Sequence, residues 1–266
     1  MRLSAFFMPL FTLIFGILGY RLRLSEQHNV FDSATGLPMH GATTTYALFA
    51  LTALFLLVVF IFILCAVIRN KSSYRFDLAF GTSSLIYVLV SSVIGAAWGV
   101  GTYFYFLELN AENMLSAATV AYIVLSALTA LAVIALSLEV FRVTHRRTPY
   151  YLCIIPIIFM CFWLILIYSE NASNPILLSY AYQIVAIVTT ALSFYFTACF
   201  VYGKIVTGRA LLSYFTSIYF CMVTLADGHP TGVNVVLIAI VAYCTVHSFA
   251  LIRNLKSRIE MSVEDS

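Results

Sequence analysis

The residues best suited to acid–base or ligand chemistry lie in polar stretches at the ends of apolar segments. Asp32, His40, Asp227 and His229 fall in two such stretches, which the topology below assigns to one face of a membrane. Imidazole and carboxylate groups held together can bind a polar solute, exchange a proton or coordinate Zn²⁺, which takes three or four N, S or O ligands. These four residues form a candidate polar site on the outer face.

The local sequence gives a metal site little support. It contains neither H-x-x-x-H nor H-E-x-x-H spacing, which would place two imidazoles on one face of a helix. Asp227-Gly228 and His229-Pro230 are also pairs typical of turns, so the alternative is that these residues serve only to form the turn. We therefore predict no bound metal and no other cofactor.

A second candidate site lies near the opposite ends of two apolar segments. Glu139 and His247 lie at similar depth, and an ionisable residue inside a membrane is a functional hypothesis by default. A contact between them would form a proton site on the inner side. The alternatives are an ion pair of Glu139 with Arg142 or Arg146 at a helix end, and a hydrogen-bonded core histidine.

Three uncharged residues inside the apolar segments are candidates for ligand contact. Gln183 and Asn234 are costly to bury and must find partners, so we expect them to face a solute. Trp98 offers an aromatic surface, but it lies between Gly95 and Gly99, whose spacing favours close helix packing.

Catalytic motifs are missing from the sequence. It contains no G-x-S-x-G and no glycine-rich phosphate loop, and its six cysteines lie in apolar stretches without a C-x-x-C pair. We assign no catalytic residue and expect that the chain is not an enzyme. The cysteines are expected to be core residues.

The composition indicates a membrane protein. Of the 266 residues, 62% are hydrophobic and only 9% are charged, whereas soluble domains contain roughly 25% charged residues. Polar surface is too scarce to cover a globule in water, so the lipid bilayer must surround most of the chain. The basic residues are scattered over short loops, which excludes a nucleic-acid partner.

Eight segments approach the length of about 20 apolar residues that a membrane-spanning helix needs. We predict an all-α polytopic bundle as a single domain over 1–252, followed by a short cytoplasmic tail at 253–266. The predicted spans lie at roughly 4–20, 44–68, 79–106, 115–141, 151–168, 176–202, 210–226 and 231–252.

The distribution of positive charge predicts the orientation. All of the 14 Lys and Arg residues except Arg21 and Arg23 fall in segments that eight spans place on one side. Short loops rich in Lys and Arg stay in the cytoplasm. We therefore predict that both termini are cytoplasmic and that the protein lies in the plasma (inner) membrane.

The one long outer loop covers 21–43 and is predicted to form a small cap, entered by a helical extension of the first span. Its middle, Phe31 to Pro38, reads F-D-S-A-T-G-L-P. Asp32 suits the first position of a turn and Gly36 the left-handed conformation that closes it.

This motif, followed by a Thr-rich entry to the second span, resembles a pattern in multi-pass membrane proteins of anaerobic Firmicutes, where F-D-x-x-T-G-L-P also precedes a long apolar helix. The resemblance covers roughly 30 residues. It implies a bacterial plasma-membrane protein. That group has no established activity, so the resemblance implies no functional residue.

The two halves of the chain show a weak internal similarity. Residues 46–83 and 180–217, aligned without gaps, share ten identities in 38 positions. This suggests a parallel 4+4 repeat, and some transporters place their site between such repeats. The alternative is that two outside-to-inside helices followed by basic loops look alike by constraint.

Three functional hypotheses remain. The leading one is a permease or binder for a small neutral or weakly polar solute, since polar uncharged residues lie in the spans and catalytic groups are scarce. The second is a non-transporting subunit or sensor that docks a cytoplasmic or membrane partner. The third is an outer-face metalloenzyme built on His40, Asp227 and His229.

Overall fold

The computed structural model describes most of the chain, and its helices follow the apolar segments. The described residues are 2–30, 43–71, 79–80, 85–142, 150–172 and 177–257. The helices are α1 (Arg2–Asn29), α2 (Thr43–Arg69), α3 (Leu85–Ala111), α4 (Ala117–Arg142), α5 (Ile154–Glu170), α6 (Leu177–Val201), α7 (Thr207–Thr224) and α8 (Thr231–Arg253). Short 3₁₀ turns cover Tyr150–Cys153 and Leu225–Asp227, and strands β1 (Asn70–Lys71) and β2 (Lys256–Ser257) pair antiparallel.

The prediction of an all-α membrane protein with eight spans is confirmed. In the described part of the chain, eight helices are long and apolar enough to cross a membrane. The helix α1 continues to Asn29, well beyond Tyr20, which confirms the predicted helical extension of the first span. The segment between these residues has neither Gly nor Pro, so nothing in it interrupts the helix.

The helix ends define two faces of the bundle. Gly16 of α1 lies against Met222 of α7, and Gly19 lies against Val223, so these two helices run parallel. The face where both helices end is called the Asp227 face. The opposite face, where α1 begins and α8 ends, is called the Arg253 face.

The helix α7 is the most enclosed element of the bundle. In its most apolar stretch 78% of the residues are buried, against 22% in α2, so α7 is central and α2 peripheral. The helix α7 packs against α1, α2, α6 and α8, whereas the described contacts of α3 are chiefly with α4 and α8. A 4+4 repeat would make α3 and α7 equivalent, and the structure does not confirm it.

Glycines set the closest helix contacts. A Cβ on Gly95 would lie 2.5 Å from Ile134 of α4, which agrees with the close packing predicted for this part of α3. At the crossing of α3 and α8, a Cβ on Gly232 would lie 2.6 Å from the carbonyl oxygen of Gly101. The backbones touch here, and α8 is held against α3 near the Asp227 face.

Candidate functional site

The packing of α1 on α7 brings a buried arginine to the Asp227 face. Gly16 and Gly19 lack side chains on the α7 side, so the two helices approach closely. Arg23 follows Gly19 by four residues and lies on the same face of α1. It therefore lies beside Asp227, at the end of the 3₁₀ turn after α7.

Arg23 is the centre of a hydrogen-bonded group. Its Nε donates to Oδ1 of Asp227 across 2.7 Å, and its Nη1 donates to Oε2 of Glu26 across 2.7 Å. Gln27 Nε2 donates to the same Oδ1 at 2.8 Å, and the Thr45 hydroxyl of α2 donates to Oε1 of Glu26 at 2.7 Å. We call these five residues the Arg23 cluster; it links α1, α2 and the end of α7.

The charges of the Arg23 cluster are enclosed. The side chains of Arg23 and Glu26 are 0% exposed, and that of Asp227 is 4% exposed. The guanidinium carbon also lies 4.9 Å from the ring centroid of Tyr182 on α6, a cation–π contact. Burial of a guanidinium is tolerated because two carboxylates and an aromatic face replace its water.

Polar atoms without partners lie beside this cluster. Within the described residues, Oδ2 of Asp227, Nε2 of His229 and Oδ1 of Asn234 are buried and receive no hydrogen bond. Buried polar atoms are normally satisfied, and each exception needs an explanation. Water, an ion or a solute that reaches these atoms would satisfy them.

The backbone of the turn fixes two of these groups. Gly228 takes a left-handed φ of 69°, which lets the chain reverse before Pro230. Asn234 Nδ2 donates to the His229 carbonyl across 3.0 Å, so its Oδ1 is the free end of the amide.

Burial, together with the charge of Arg23, lowers the pKa of His229 from 6.5 to about 4, so the imidazole is neutral at pH 7.

An acidic side chain from α3 supports the same turn. Glu108 accepts hydrogen bonds from the backbone N–H of Thr231 at 3.0 Å and of Gly232 at 3.3 Å. These are among the N–H groups that the start of a helix leaves without partners, and a carboxylate there is favoured by the helix dipole. Glu108 therefore holds the beginning of α8 beside the polar atoms.

The structure brings together only part of the predicted outer-face site. Asp227 and His229 are joined by Asn234, which the sequence placed among the ligand contacts within the spans. Gln183 is half-buried near the start of α6 and follows Tyr182, which contacts Arg23. Asp32 and His40 lie outside the described residues, so their part in the site stays a prediction.

Trp98 lies in the core of the bundle. Its side chain is fully buried, and its indole N–H donates to Ser126 across 3.0 Å. Its ring packs against Phe159 and Phe194. This geometry favours core packing over ligand contact for Trp98, although the close helix contact beside it is made by Gly95 and not by Gly99.

His247 is a hydrogen-bonded core residue. Its Nδ1 lies 2.8 Å from the Tyr243 carbonyl oxygen, so Nδ1 carries the proton, and Nε2 accepts from the Tyr87 hydroxyl at 3.1 Å. Both ring nitrogens are thereby used within the bundle. The side chain of Glu139 lies outside the described part, so the proton site proposed for this pair stays a prediction.

The sequence interpretation missed Arg23 and Glu26, because the first span was ended at Tyr20 and both residues were counted as loop charges. A signal for them was present. Gly16, Gly19, Arg23 and Glu26 recur at intervals of three or four residues, which places them on one helical face.

Among residues whose positions the structure gives, no three His, Cys, Asp or Glu side chains are grouped to hold a metal ion; His40, which the metal hypothesis includes, lies outside them. The comparisons add no relative. No protein-family model, curated protein or solved structure matches this chain.

Proposed function

We propose that this integral membrane protein binds a small, neutral or weakly polar solute at the Asp227 face, as a permease or a solute-binding component. The observation that carries this proposal is the set of buried, unpartnered atoms of Asp227, His229 and Asn234 beside the Arg23 cluster. An unsatisfied polar atom at such depth costs roughly 1–3 kcal/mol, which a bound solute would recover.

The buried polar atoms without partners favour a solute that donates hydrogen bonds. Asp227 Oδ2 and Asn234 Oδ1 only accept hydrogen bonds, and the neutral imidazole of His229 can accept at Nε2. The solute is therefore expected to carry several N–H or O–H groups, as amides, amines and polyols do. Arg23 is already bound to two carboxylates, so an anionic solute would meet unpaired acceptors rather than a free cation.

The distribution of charged helix ends supports the orientation that is part of this proposal. Lys204, Arg209 and Arg253 lie at the Arg253 face, and Glu112 and Glu170 lie at the Asp227 face. By the positive-inside rule the Arg253 face is cytoplasmic, with both termini, and the solute reaches the protein from outside. A bacterial plasma membrane fits the resemblance of the Phe31–Pro38 motif.

The groups of the site suit binding rather than catalysis. The Asp227 carboxylate accepts hydrogen bonds from Arg23 and Gln27, and the Asn234 amide donates to the backbone carbonyl of His229. Acyl or phosphoryl transfer requires a nucleophile held against a base, and the described residues of the site hold no such pair.

Ligand-induced stabilisation tests the proposal. The purified protein is melted in detergent with a panel of small amides, amines and polyols, and at least one is expected to raise Tm. Asn234→Leu should abolish that shift, since it removes the free amide oxygen. Ser126→Ala is the matched control, because it removes a buried polar group from the Trp98 region and should leave the shift unchanged.

Two outcomes overturn the proposal: no solute in the panel changes Tm, or the shift survives in Asn234→Leu. Uptake of the stabilising solute into proteoliposomes then separates a permease, which accumulates it, from a binding component, which does not.

A further inference from the structure

A cavity lies at the Arg253 face, at the opposite end of the bundle from the Arg23 cluster. It has a volume of about 530 Å³ and is enclosed by α1, the start of α3 and the end of α8. Several side chains at its rim are largely exposed, including Phe6 at 69%, Leu10 at 57% and Ile86 at 72%. In a membrane these residues face lipid, so the cavity is a groove that opens sideways into the bilayer. We call it the α1–α8 groove.

The groove is polar at one end and apolar along its length. Arg253, in the last turn of α8, and Asn254, just after it, lie at the level of the helix ends. Apart from Tyr87 and Thr245, the rest of the wall is built by apolar side chains such as Leu13, Val90 and Phe249. The side chain of Arg253 is exposed and makes no ion pair with any other residue that the structure describes.

The long axis of the groove runs along the membrane normal. Its α1 wall extends from Ala5 to Leu13 and its α8 wall from Thr245 to Arg253, and each of these stretches rises about 12 Å at 1.5 Å per residue. A molecule that fills it must have a charged end at the membrane surface and an apolar body directed into the bilayer. An anionic phospholipid in the leaflet at this face has that shape.

We propose that the α1–α8 groove binds an anionic phospholipid, with the phosphate at Arg253 and an acyl chain along α1 and α8. A guanidinium matches phosphate oxygens in geometry and charge, and basic pockets between transmembrane helices on the cytoplasmic side are known lipid headgroup sites. Asn254 is held in place because its amide donates to the Ala79 carbonyl across 3.1 Å. The lipid would fill the space between the first and last helices.

The test measures lipid retained by the purified full-length protein. The protein is reconstituted in nanodiscs with equal parts of dioleoyl phosphatidylglycerol and dioleoyl phosphatidylcholine, extracted in mild detergent and examined by native mass spectrometry. Wild type is expected to retain phosphatidylglycerol in preference to phosphatidylcholine. Arg253→Gln should reduce that preference about fivefold, the effect of one basic residue at a lipid surface, and Arg253→Lys should restore much of it.

Two matched controls separate the groove from general effects. Arg209→Gln removes a charge from the same face, outside the groove, and should leave the preference intact. Val90→Trp fills the groove and should lower retention of both lipids. Val93→Trp adds the same bulk on α3 at a position that is 68% exposed and outside the groove wall, and should not.

The proposal is overturned if wild type shows no preference for phosphatidylglycerol, if Arg209→Gln lowers the preference as much as Arg253→Gln, or if Val93→Trp matches Val90→Trp. Displacement of the lipid by millimolar inorganic phosphate would also overturn it, because the site would then recognise the anion alone. Retention of a co-purified protein instead of lipid would assign the groove to a partner. Solute-induced Tm shifts at the Asp227 face are measured separately, and the two proposals stand or fall independently.

Discussion

Arg23 Nε donates a 2.7 Å hydrogen bond to Asp227 Oδ1, and this bond joins residues 204 positions apart in the chain. It connects the ends of two parallel helices at a depth where both side chains are shielded from water. It leaves the second carboxylate oxygen of Asp227 without a hydrogen-bond partner, as are Nε2 of His229 in the same turn and Oδ1 of Asn234 in the first turn of α8. The same contact therefore stabilises the bundle and shapes the proposed binding site.

The first prediction concerns the buried charge of Arg23. Arg23→Gln leaves Glu26 and Asp227 buried without their cation, and we expect it to lower the free energy of unfolding by about 3–5 kcal/mol. Chemical denaturation in detergent measures this loss. Arg21→Gln, an exposed neighbour on the same helix, is the control and should change stability by less than about 0.5 kcal/mol. Equal losses of stability in the two variants would show that the buried ion pairs of Arg23 do not stabilise the fold.

The second prediction concerns the crossing of α3 and α8. In Gly232→Ala the new methyl group would meet the Gly101 carbonyl and the backbone of Tyr105, neither of which can rotate away. We expect a loss of about 1–3 kcal/mol or more. In Gly99→Ala the methyl group would lie 3.8 Å from Ala130 Cβ, an ordinary contact.

For Gly99→Ala we expect unchanged or slightly higher stability, since alanine is the better helix former by roughly 0.5–1 kcal/mol. Thermal melts of both variants in the same detergent check this contrast. A Gly232→Ala protein as stable as wild type would mean that the helices separate at little cost.

The third prediction concerns acid sensitivity at His229. Its folded pKa of about 4 lies below its ordinary value of 6.5, so the unfolded chain takes up this proton first as the pH falls. The stabilisation from the neutral imidazole is complete above pH 6.5 and is lost as the pH falls toward 4. We expect His229→Gln to lose less stability than wild type between pH 7 and pH 4.5, measured as the difference in Tm. Parallel pH profiles of the two proteins would contradict the burial of His229.

The fourth prediction concerns orientation. Single cysteines are placed at two exposed positions, Glu112→Cys at the Asp227 face and Lys204→Cys at the Arg253 face. In intact cells a membrane-impermeant maleimide should label the first and not the second, and permeabilised cells should show both. Labelling of the wild-type protein measures the background from its six native cysteines. Labelling of the second position alone would reverse the topology and place the solute site in the cytoplasm.

The eight spans were predictable because lipid imposes a local requirement. A spanning helix needs about 20 successive apolar residues with no unpaired backbone group, and that condition can be read from neighbouring residues alone. The predicted span at 231–252 and the helix Thr231–Arg253 differ by a single residue at their end for this reason. A helical extension of the first span was also predicted, but its end at Asn29 was not.

The function of individual polar residues was harder to predict. His247 was a candidate as an ionisable residue in an apolar segment and Trp98 as an aromatic surface, yet both find hydrogen-bond partners within the bundle. Whether a buried polar atom has a partner depends on neighbouring helices. The sequence alone does not show which side chains of other helices lie near a given polar atom.

Three features were determined by the sequence alone: that lipid surrounds most of the chain, how many helices span the membrane, and which helix ends carry positive charge. Each of them depends only on composition and local spacing. Only the tertiary structure decided that Arg23 meets Asp227. That contact requires the face of α1 that carries Gly16 and Gly19 to pack closely against α7. The packing energy depends on how well the surfaces of these two helices match, and they come from opposite ends of the chain.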